Sequence, residues 1–113
     1  MYVRLHVAHA DGRRVVTSAA ILAEALRGER RDAAVYRVLS GIVVEPVSRT
    51  LGERAGQLIG TAGLGSGQAV DAILVATALA EAGPVVIATS DAGDLKALVG
   101  DEPRISVVVA DRF

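Results

Sequence analysis

The chain contains no cysteine, so it can form no disulfide, zinc ribbon or thiol nucleophile. Aromatic residues make up only 3% of it, which argues against a base-stacking sheet of the RRM or OB type. No apolar run approaches the roughly 20 residues that span a bilayer, and the N-terminus shows no signal-peptide pattern. These absences predict a cytoplasmic protein without a membrane segment.

The net charge and the apolar content restrict the class of protein further. The formal net charge of −1 argues against broad electrostatic binding to nucleic acid, although a local basic patch stays open. Apolar residues make up 51% and charged residues 22% of the 113 residues, which is enough apolar material for a real core. We therefore expect one folded domain over residues 1–113.

Residues 1–17 support two different predictions. In the first, Val3, Leu5 and Val7 alternate with polar residues as in a strand, and a turn leads to a second strand over 14–17. In the second, a helix ends near Gly12 and the strand over 14–17 follows a loop. The local pattern leaves both open.

The rest of the chain alternates between helical and strand patterns. Helices are predicted over 19–27, 32–39, from Ser48 onwards, over about 68–82 and through 95–99, and strands over 42–44, 85–89 and 105–109. Strands joined by helices indicate a mainly parallel sheet with helices on both faces, which is a three-layer α/β/α fold.

Local signals place the boundaries of these helices. Ser18, Asp32 and Ser48 are predicted to be N-caps, because their side-chain oxygens can accept hydrogen bonds from the first free N–H groups of a helix. Gly28 is predicted to stop the first of these helices. The glycine-rich stretch over 60–67 is predicted to be a loop that opens the apolar helix after it.

Three acidic residues are predicted to meet at one edge of the sheet. Asp91 follows the strand over 85–89, Asp71 lies in the first turns of its helix, and Glu24 lies on the helix after the strand over 14–17. Oxygen ligands of this kind suit magnesium or manganese better than zinc. Each acid also has a simpler explanation, as a helix-dipole partner, an N-cap or a solvated side chain.

Two segments of the sequence carry a family resemblance. Residues 71–79 read DAILVATAL and lead, after a turn, into VVIATSD at 85–91; residues 15–18 read VVTS and run into the helix with Glu24. With these motifs the chain resembles the PIN domain family, and within it the VapC-like toxins of bacterial toxin–antitoxin pairs. The resemblance extends over roughly residues 14–110.

The resemblance implies a Mg²⁺- or Mn²⁺-dependent ribonuclease. Glu24, Asp71 and Asp91 would be its catalytic and metal-binding residues, with Thr89 beside the site and Asp94 as an auxiliary acid. The expected partners are an RNA substrate, an antitoxin protein and a second copy of the chain in a homodimer.

The chain departs from the family pattern at its start. PIN domains open with a central strand that ends in a metal-binding aspartate, and no such strand is found here. The resemblance therefore implies a PIN domain without its first strand, with weakly held metal and weak or no activity. The sheet could close in three ways: residues 2–8 could form a strand, a second copy could fill the gap by strand exchange, or the remaining strands could pair directly.

Two other functions stay open. One is a non-catalytic PIN-fold remnant that binds a partner or associates with itself. The other is a receiver-like phosphoacceptor domain, which the absence of its paired acids and lysine disfavours. Among the weaker signals, His6 and His9 are expected to be surface side chains, and Arg27, Arg30 and Arg31 form a small basic cluster that could contact RNA phosphate or be balanced by neighbouring acids.

Overall fold

The computed structural model describes residues 5–89, 93 and 95–109, with the backbone alone at residues 5 and 6. The helices in these ranges are α1 (Leu5–Ala10), α2 (Leu22–Ala25), α3 (Asp32–Leu39), α4 (Arg49–Ala62), α5 (Ala69–Leu79) and α6 (Leu95–Val99). The strands are β1 (Val15–Ser18), β2 (Val43–Glu45), β3 (Val85–Thr89) and β4 (Ile105–Val109), and 3-10 turns cover Ala19–Ile21 and Ser66–Gln68.

The four strands form one parallel sheet in the order β2-β1-β3-β4. β3 and β4 pair along their whole length, from Val85 opposite Ile105 to Thr89 opposite Val109. β3 is buried at every position, as expected for a central strand whose two faces are both covered. The predicted α/β fold with a parallel sheet is confirmed.

The centre of the sheet closes by direct pairing of β1 with β3, which joins Val15 to Val86 and Val16 to Ile87. The structure therefore contains the third of the three predicted closures. The prediction of a strand within residues 2–8 is wrong for the described part of that segment, because residues 5–10 form the helix α1. Since β1 and β3 pair directly, no strand from a second copy is needed between them.

The helices cover the sheet from both sides. α4, α5 and α6 pack against one another, and α5 also contacts β1 and β3. The crossover from β1 to β2 leads away from β3, whereas the crossover from β3 to β4 leads in the opposite direction. Because such crossovers are right-handed, α3 lies on the face opposite α6. The layers enclose one apolar core that includes Val16, Leu74 and Ile87.

Several local boundaries differ from the sequence prediction. The helix expected over 19–27 is a 3-10 turn followed by the four-residue α2, and Gly28, with φ of 74°, lies in the loop beyond it. Asp32 is not the N-cap of α3 but its first residue, and Arg31 holds the cap position. Residues 60–62 belong to α4, so the glycine-rich loop begins only at Gly63, whose φ of 69° ends that helix.

The helices of the described residues are not suited to cross a membrane. None of them combines the length with the apolar character that crossing a bilayer requires.

Candidate functional site

The sheet has a switch point between β1 and β3 at its carboxyl edge, the edge at which the parallel strands end. From β1 the chain crosses to β2 on one side, and from β3 it crosses to β4 on the other. In open α/β sheets, such a reversal leaves a crevice at the carboxyl ends of the two strands, where ligands bind. The pairing of β1 with β3 joins residues 15–16 to 86–87, so it stops before the last residues of either strand.

The opposite, amino edge is marked by a network of charged side chains. Arg14, which precedes β1, donates to Glu81 at 2.8 Å, and it also reaches Glu45, the last residue of β2, at 3.1 Å. This hydrogen bond to Glu81, with the charge of Glu81 beside it, raises the pKa of the Arg14 guanidinium. Arg104, which precedes β4, donates to the carbonyl of Glu81 at 2.9 Å. Glu81 follows α5, so α5 ends at the amino edge.

Asp71 lies at the carboxyl edge as a consequence. It stands in the first turn of α5 and is half-buried. Because α5 ends beside the amino ends of β1 and β4, its first turn points to the other end of the strands. α5 also contacts the 3-10 turn that directly follows β1, which is the segment that leads into α2.

The other predicted residues are distributed as follows. Glu24 stands in the first turn of α2, just beyond β1, and is exposed. Thr89 is the last residue of β3 and is 2% exposed. Asp91 and Asp94 lie outside the described residues. Glu24, Asp71 and Thr89 thus lie on three elements that reach the carboxyl edge, the edge at which the sequence predicts a site.

A metal centre would need more acidic side chains than these. Over residues 5–89, 93 and 95–109, no group of three or more His, Cys, Asp or Glu side chains is placed to hold a metal ion. Of the three predicted metal ligands, that part of the chain contains Glu24 and Asp71. The third, Asp91, stays a prediction.

Two hydroxyl residues at the end of β1 were not singled out for function from the sequence. Ser18 Oγ accepts a hydrogen bond from the N–H of Ala20 at 3.1 Å and so caps the 3-10 turn, as predicted for an N-cap. Thr17 is fully buried, and its Oγ1 has no hydrogen-bond partner among the described residues. A buried hydroxyl without a partner costs about 1–3 kcal/mol, so Thr17 is an unsatisfied polar group at the end of the strand. The signal in the sequence is the pair of hydroxyl residues that ends the apolar run.

The Asp32 carboxylate fixes the loop that follows α2. Its two oxygens accept hydrogen bonds from the backbone N–H groups of Arg27, Gly28 and Glu29, at 2.7–3.3 Å. Burial raises the pKa of Asp32, but these three donors and the charge of Arg31 outweigh it, so the pKa lies below its ordinary value. The carboxylate stays ionised and holds the loop in one shape.

A groove also lies at the other end of the sheet. It has a volume of about 680 Å³ at the amino edge, and its lining includes Asp11, Arg13, Arg14 and Arg104. Each of these arginines has a carboxylate partner: Arg13 lies 3.6 Å from Asp11, while Arg14 and Arg104 lie within 3.1 Å of glutamates. These carboxylates therefore neutralise the positive charge of the groove. The candidate acids Glu24 and Asp71 do not belong to its lining.

Comparison with known proteins identifies the family. The family model of the PIN domain matches residues 3–99, which is most of the chain. Searches of curated proteins and of solved structures gave no significant match. PIN domains are generally nucleases, and the parallel sheet with helices on both faces agrees with their architecture. The chain belongs to the PIN domain family.

Proposed function

We propose that this protein is a PIN-type ribonuclease of low activity, with its site at the carboxyl edge of the sheet between β1 and β3. The observation that carries the proposal is that α2 with Glu24, α5 with Asp71 and the end of β3 with Thr89 all lie at that edge. The resemblance to PIN domains implies that acids at this edge are the nuclease residues. The proposal treats residues 1–113 as one PIN-like domain.

The chemistry of the donors supports a hard divalent cation. Every candidate donor at this edge is an oxygen, either a carboxylate of Glu24 or Asp71 or a hydroxyl, and such donors suit Mg²⁺ or Mn²⁺. The unsatisfied Thr17 hydroxyl adds a polar atom near the end of β1. Glu24, Asp71 and Asp91 would hold the cation. When bound, it would position the scissile phosphate and lower the pKa of an attacking water.

The residues of the chain have their own contributions to this reaction. Glu24 is exposed and can meet substrate or solvent, whereas Asp71 is half-buried and fixed on the first turn of a long, apolar helix. Thr89 is buried at the end of a strand that is paired along its whole length with β4. The more buried residues, Asp71 and Thr89, would hold the reacting groups in place, and the exposed Glu24 would face a polymeric substrate.

The expected activity is weak. A site with few carboxylates binds a divalent ion loosely, because each ligand contributes part of the charge that offsets dehydration of the ion. By the resemblance, a further aspartate from the family's first strand would be absent from this set of three ligands. We therefore expect RNA cleavage that is slow and that rises with Mg²⁺ or Mn²⁺ over a high concentration range.

The experiment compares the full chain with Asp71→Asn and Glu24→Gln on an unstructured RNA, with and without EDTA. We expect slow, EDTA-sensitive cleavage that falls roughly 10- to 100-fold in Asp71→Asn, as is typical when metal affinity is impaired. The matched control is Glu53→Gln, an exposed acid on α4 that pairs with Arg49, which should cleave like the original chain. Equal cleavage by Asp71→Asn would point to a contaminating nuclease and contradict the proposal, and fast cleavage at low Mg²⁺ would contradict the loosely held metal.

A second candidate function is a non-catalytic PIN-fold module that binds RNA or a protein. It is favoured by the small number of predicted carboxylate ligands, because Glu24, Asp71 and Asp91 alone would hold a divalent ion loosely. Complete absence of both cleavage and Mn²⁺ binding in the same preparation would select this candidate over the nuclease.

The remaining parts of the proposal concern partners and location. We propose a cytoplasmic RNA as the substrate and, from the resemblance to VapC-like toxins, an antitoxin as the protein partner. A homodimer also remains proposed, although the direct pairing of β1 with β3 means that the sheet is continuous within one chain. Size-exclusion chromatography with light scattering tests the dimer, and co-expression with the adjacent gene tests the antitoxin.

A further inference from the structure

The segment between α2 and α3 is rich in arginine and lies at the same edge as the candidate site. Residues 27–31, here called the arginine loop, read RGERR and are all exposed. β1 ends at the carboxyl edge, and α3 leads back to β2, which begins at the amino edge. The start of α3 and the loop before it therefore lie on the carboxyl side, directly after α2 with its Glu24.

A buried group, the carboxylate of Asp32, holds the backbone of the loop. The Asp32 carboxylate accepts hydrogen bonds from three successive backbone N–H groups of the loop, and Asp32 itself is 7% exposed. Gly28 provides the positive φ that the turn needs. Because the backbone is fixed from within, the guanidinium groups remain available at the surface.

Two of the three arginines carry a charge that no carboxylate of the described residues neutralises. Arg27 donates from Nη1 to the carbonyl oxygens of Ala23 and Leu26, at 3.0 and 2.6 Å, which fixes the side chain on the end of α2. Arg30 makes no side-chain contact of this kind within the described ranges. Arg31 pairs with Glu29 at 3.1 Å, and since both side chains are 61% exposed, water weakens this pair strongly.

The helix α3, which follows the arginine loop, also carries an exposed aromatic side chain. Tyr36 is 59% exposed and stands one helical turn beyond Asp32. Exposed rings and arginine side chains together hold unpaired nucleotides in proteins, because the ring stacks on a base and the cations contact the phosphates. A duplex would not offer the ring a free base face.

We propose that the arginine loop and Tyr36 form a docking surface for single-stranded RNA, which leads the strand towards the candidate site. Arg27 and Arg30 contact backbone phosphates, Tyr36 stacks on a base, and Asp32 acts as a positioning residue that holds the loop. The inference rests on the proposed ribonuclease function for its choice of polymer, but binding and cleavage are separate measurements.

The test measures binding of a labelled single-stranded RNA by fluorescence anisotropy in EDTA, so that no cleavage occurs, at several salt concentrations. We expect Arg27→Ala and Arg30→Ala each to weaken binding roughly three- to tenfold and to reduce the slope of log affinity against log salt by about 0.7. The matched control is Arg54→Ala, which removes an exposed arginine from α4 and should change affinity less than twofold. Equal losses in Arg54→Ala and the loop variants, or no loss in the loop variants, would overturn the inference.

The positioning role of Asp32 has a test of its own. Asp32→Asn removes a negative charge, so electrostatics alone predicts tighter RNA binding, whereas loss of the acceptor that holds three N–H groups predicts weaker binding. We expect weaker binding from Asp32→Asn and tighter binding from Glu29→Gln, which removes an exposed negative charge without touching the loop backbone. Tighter binding from both variants would contradict the positioning role, and thermal melts of each variant confirm that the loss does not come from unfolding.

Binding of duplex RNA and of single-stranded DNA tests which polymer the surface prefers. We expect Tyr36→Ala to weaken binding of single-stranded RNA and to leave binding of duplex RNA unchanged. Loss on both would contradict stacking by Tyr36. Single-stranded DNA separates phosphate contact from RNA preference: weaker binding of DNA supports the proposed polymer, and equal binding overturns the choice of RNA. If the chain binds RNA as expected but never cleaves it, the docking surface stands and the ribonuclease proposal fails.

Discussion

The two sides of β3 differ in how far the strands stay together. Towards β4 the pairing includes all five residues from Val85 to Thr89, whereas towards β1 it joins only Val86 and Ile87. The ladder with β4 therefore runs along all of β3, whereas the ladder with β1 ends before the carboxyl edge, at a point here called the opening. This difference indicates where a ligand can bind. Within a ladder the backbone N–H and C=O groups are used in hydrogen bonds between strands, whereas beyond the end of a ladder they can bind other polar groups.

The buried side chains also differ between the β1 side and the β4 side of β3. The ends of both strands at the opening carry hydroxyl side chains, Thr17 and Ser18 on β1 and Thr89 on β3, all at most 2% exposed. On the other side, β4 faces β3 with Val107 and Val108, both buried. Polar groups thus gather where the pairing ends, and apolar groups where it continues.

The largest effect is expected from Ile87→Ala, which removes the residue shared by both sides. Ile87 is fully buried and lies opposite Val16 on one side and Val107 on the other. Truncation of a buried isoleucine leaves a cavity that the neighbours fill only partly, and we expect a loss of about 2–5 kcal/mol in the free energy of unfolding. Urea denaturation measures it, and a loss below about 1 kcal/mol would show that the two sides do not share a tight core.

Much of this sheet could be predicted from the sequence, and the reasons are local. The run from Val85 to Thr89 stands between a Gly-Pro break and polar residues, so its strand is predicted with the correct bounds. The pairing of β1 with β3 could not be predicted in the same way, because parallel partners lie far apart in the chain and nothing local selects one of three closures. The helix α1 remained one of two alternatives for the same reason.

The site was predictable to a similar degree. Asp71 in a first helical turn and Thr89 at a strand end follow from local patterns. The orientation of Asp32 could not be predicted, because an aspartate before a helix can bind N–H groups of that helix or of the preceding loop with the same atoms. Whether the loop folds back is decided by Gly28 and the burial of Asp32 in the tertiary structure.

A smaller, pH-dependent effect on stability is expected at Asp32, whose carboxylate holds the backbone of the arginine loop. Its pKa is lowered in the folded state, so its contribution to stability is complete above the unfolded value near 3.8 and is lost as pH falls through the folded value. We expect Asp32→Asn to have a lower urea midpoint at pH 7 and to approach the original chain as pH falls below 3.8. A difference that stays constant down to pH 2.5 would contradict the lowered pKa.

The smallest effect is expected from two threonine substitutions that share the same chemistry. Thr77 Oγ1, buried on α5, donates to the carbonyl of Ile73 at 2.7 Å, whereas Thr17 Oγ1 has no partner within the described residues. We expect Thr77→Val to lower the free energy of unfolding by about 0.5–1.5 kcal/mol and Thr17→Val to leave it unchanged or raise it slightly. A loss in Thr17→Val as large as in Thr77→Val would mean that the Thr17 hydroxyl is satisfied in solution, for example by a bound water.

The most direct measurement of the central claim is a Mn²⁺ titration of the ¹⁵N-labelled chain, followed by paramagnetic broadening of assigned amide signals. The account predicts that the first signals to broaden are those at the carboxyl edge, such as Ser18, Glu24, Asp71 and Thr89, and that Asp71→Asn removes the effect. Signals at the amino edge, such as Arg14 and Arg104, should stay sharp at the same Mn²⁺ concentration. Broadening that begins at the amino edge, or that spreads evenly over the chain, would contradict a cation site at the opening between β1 and β3.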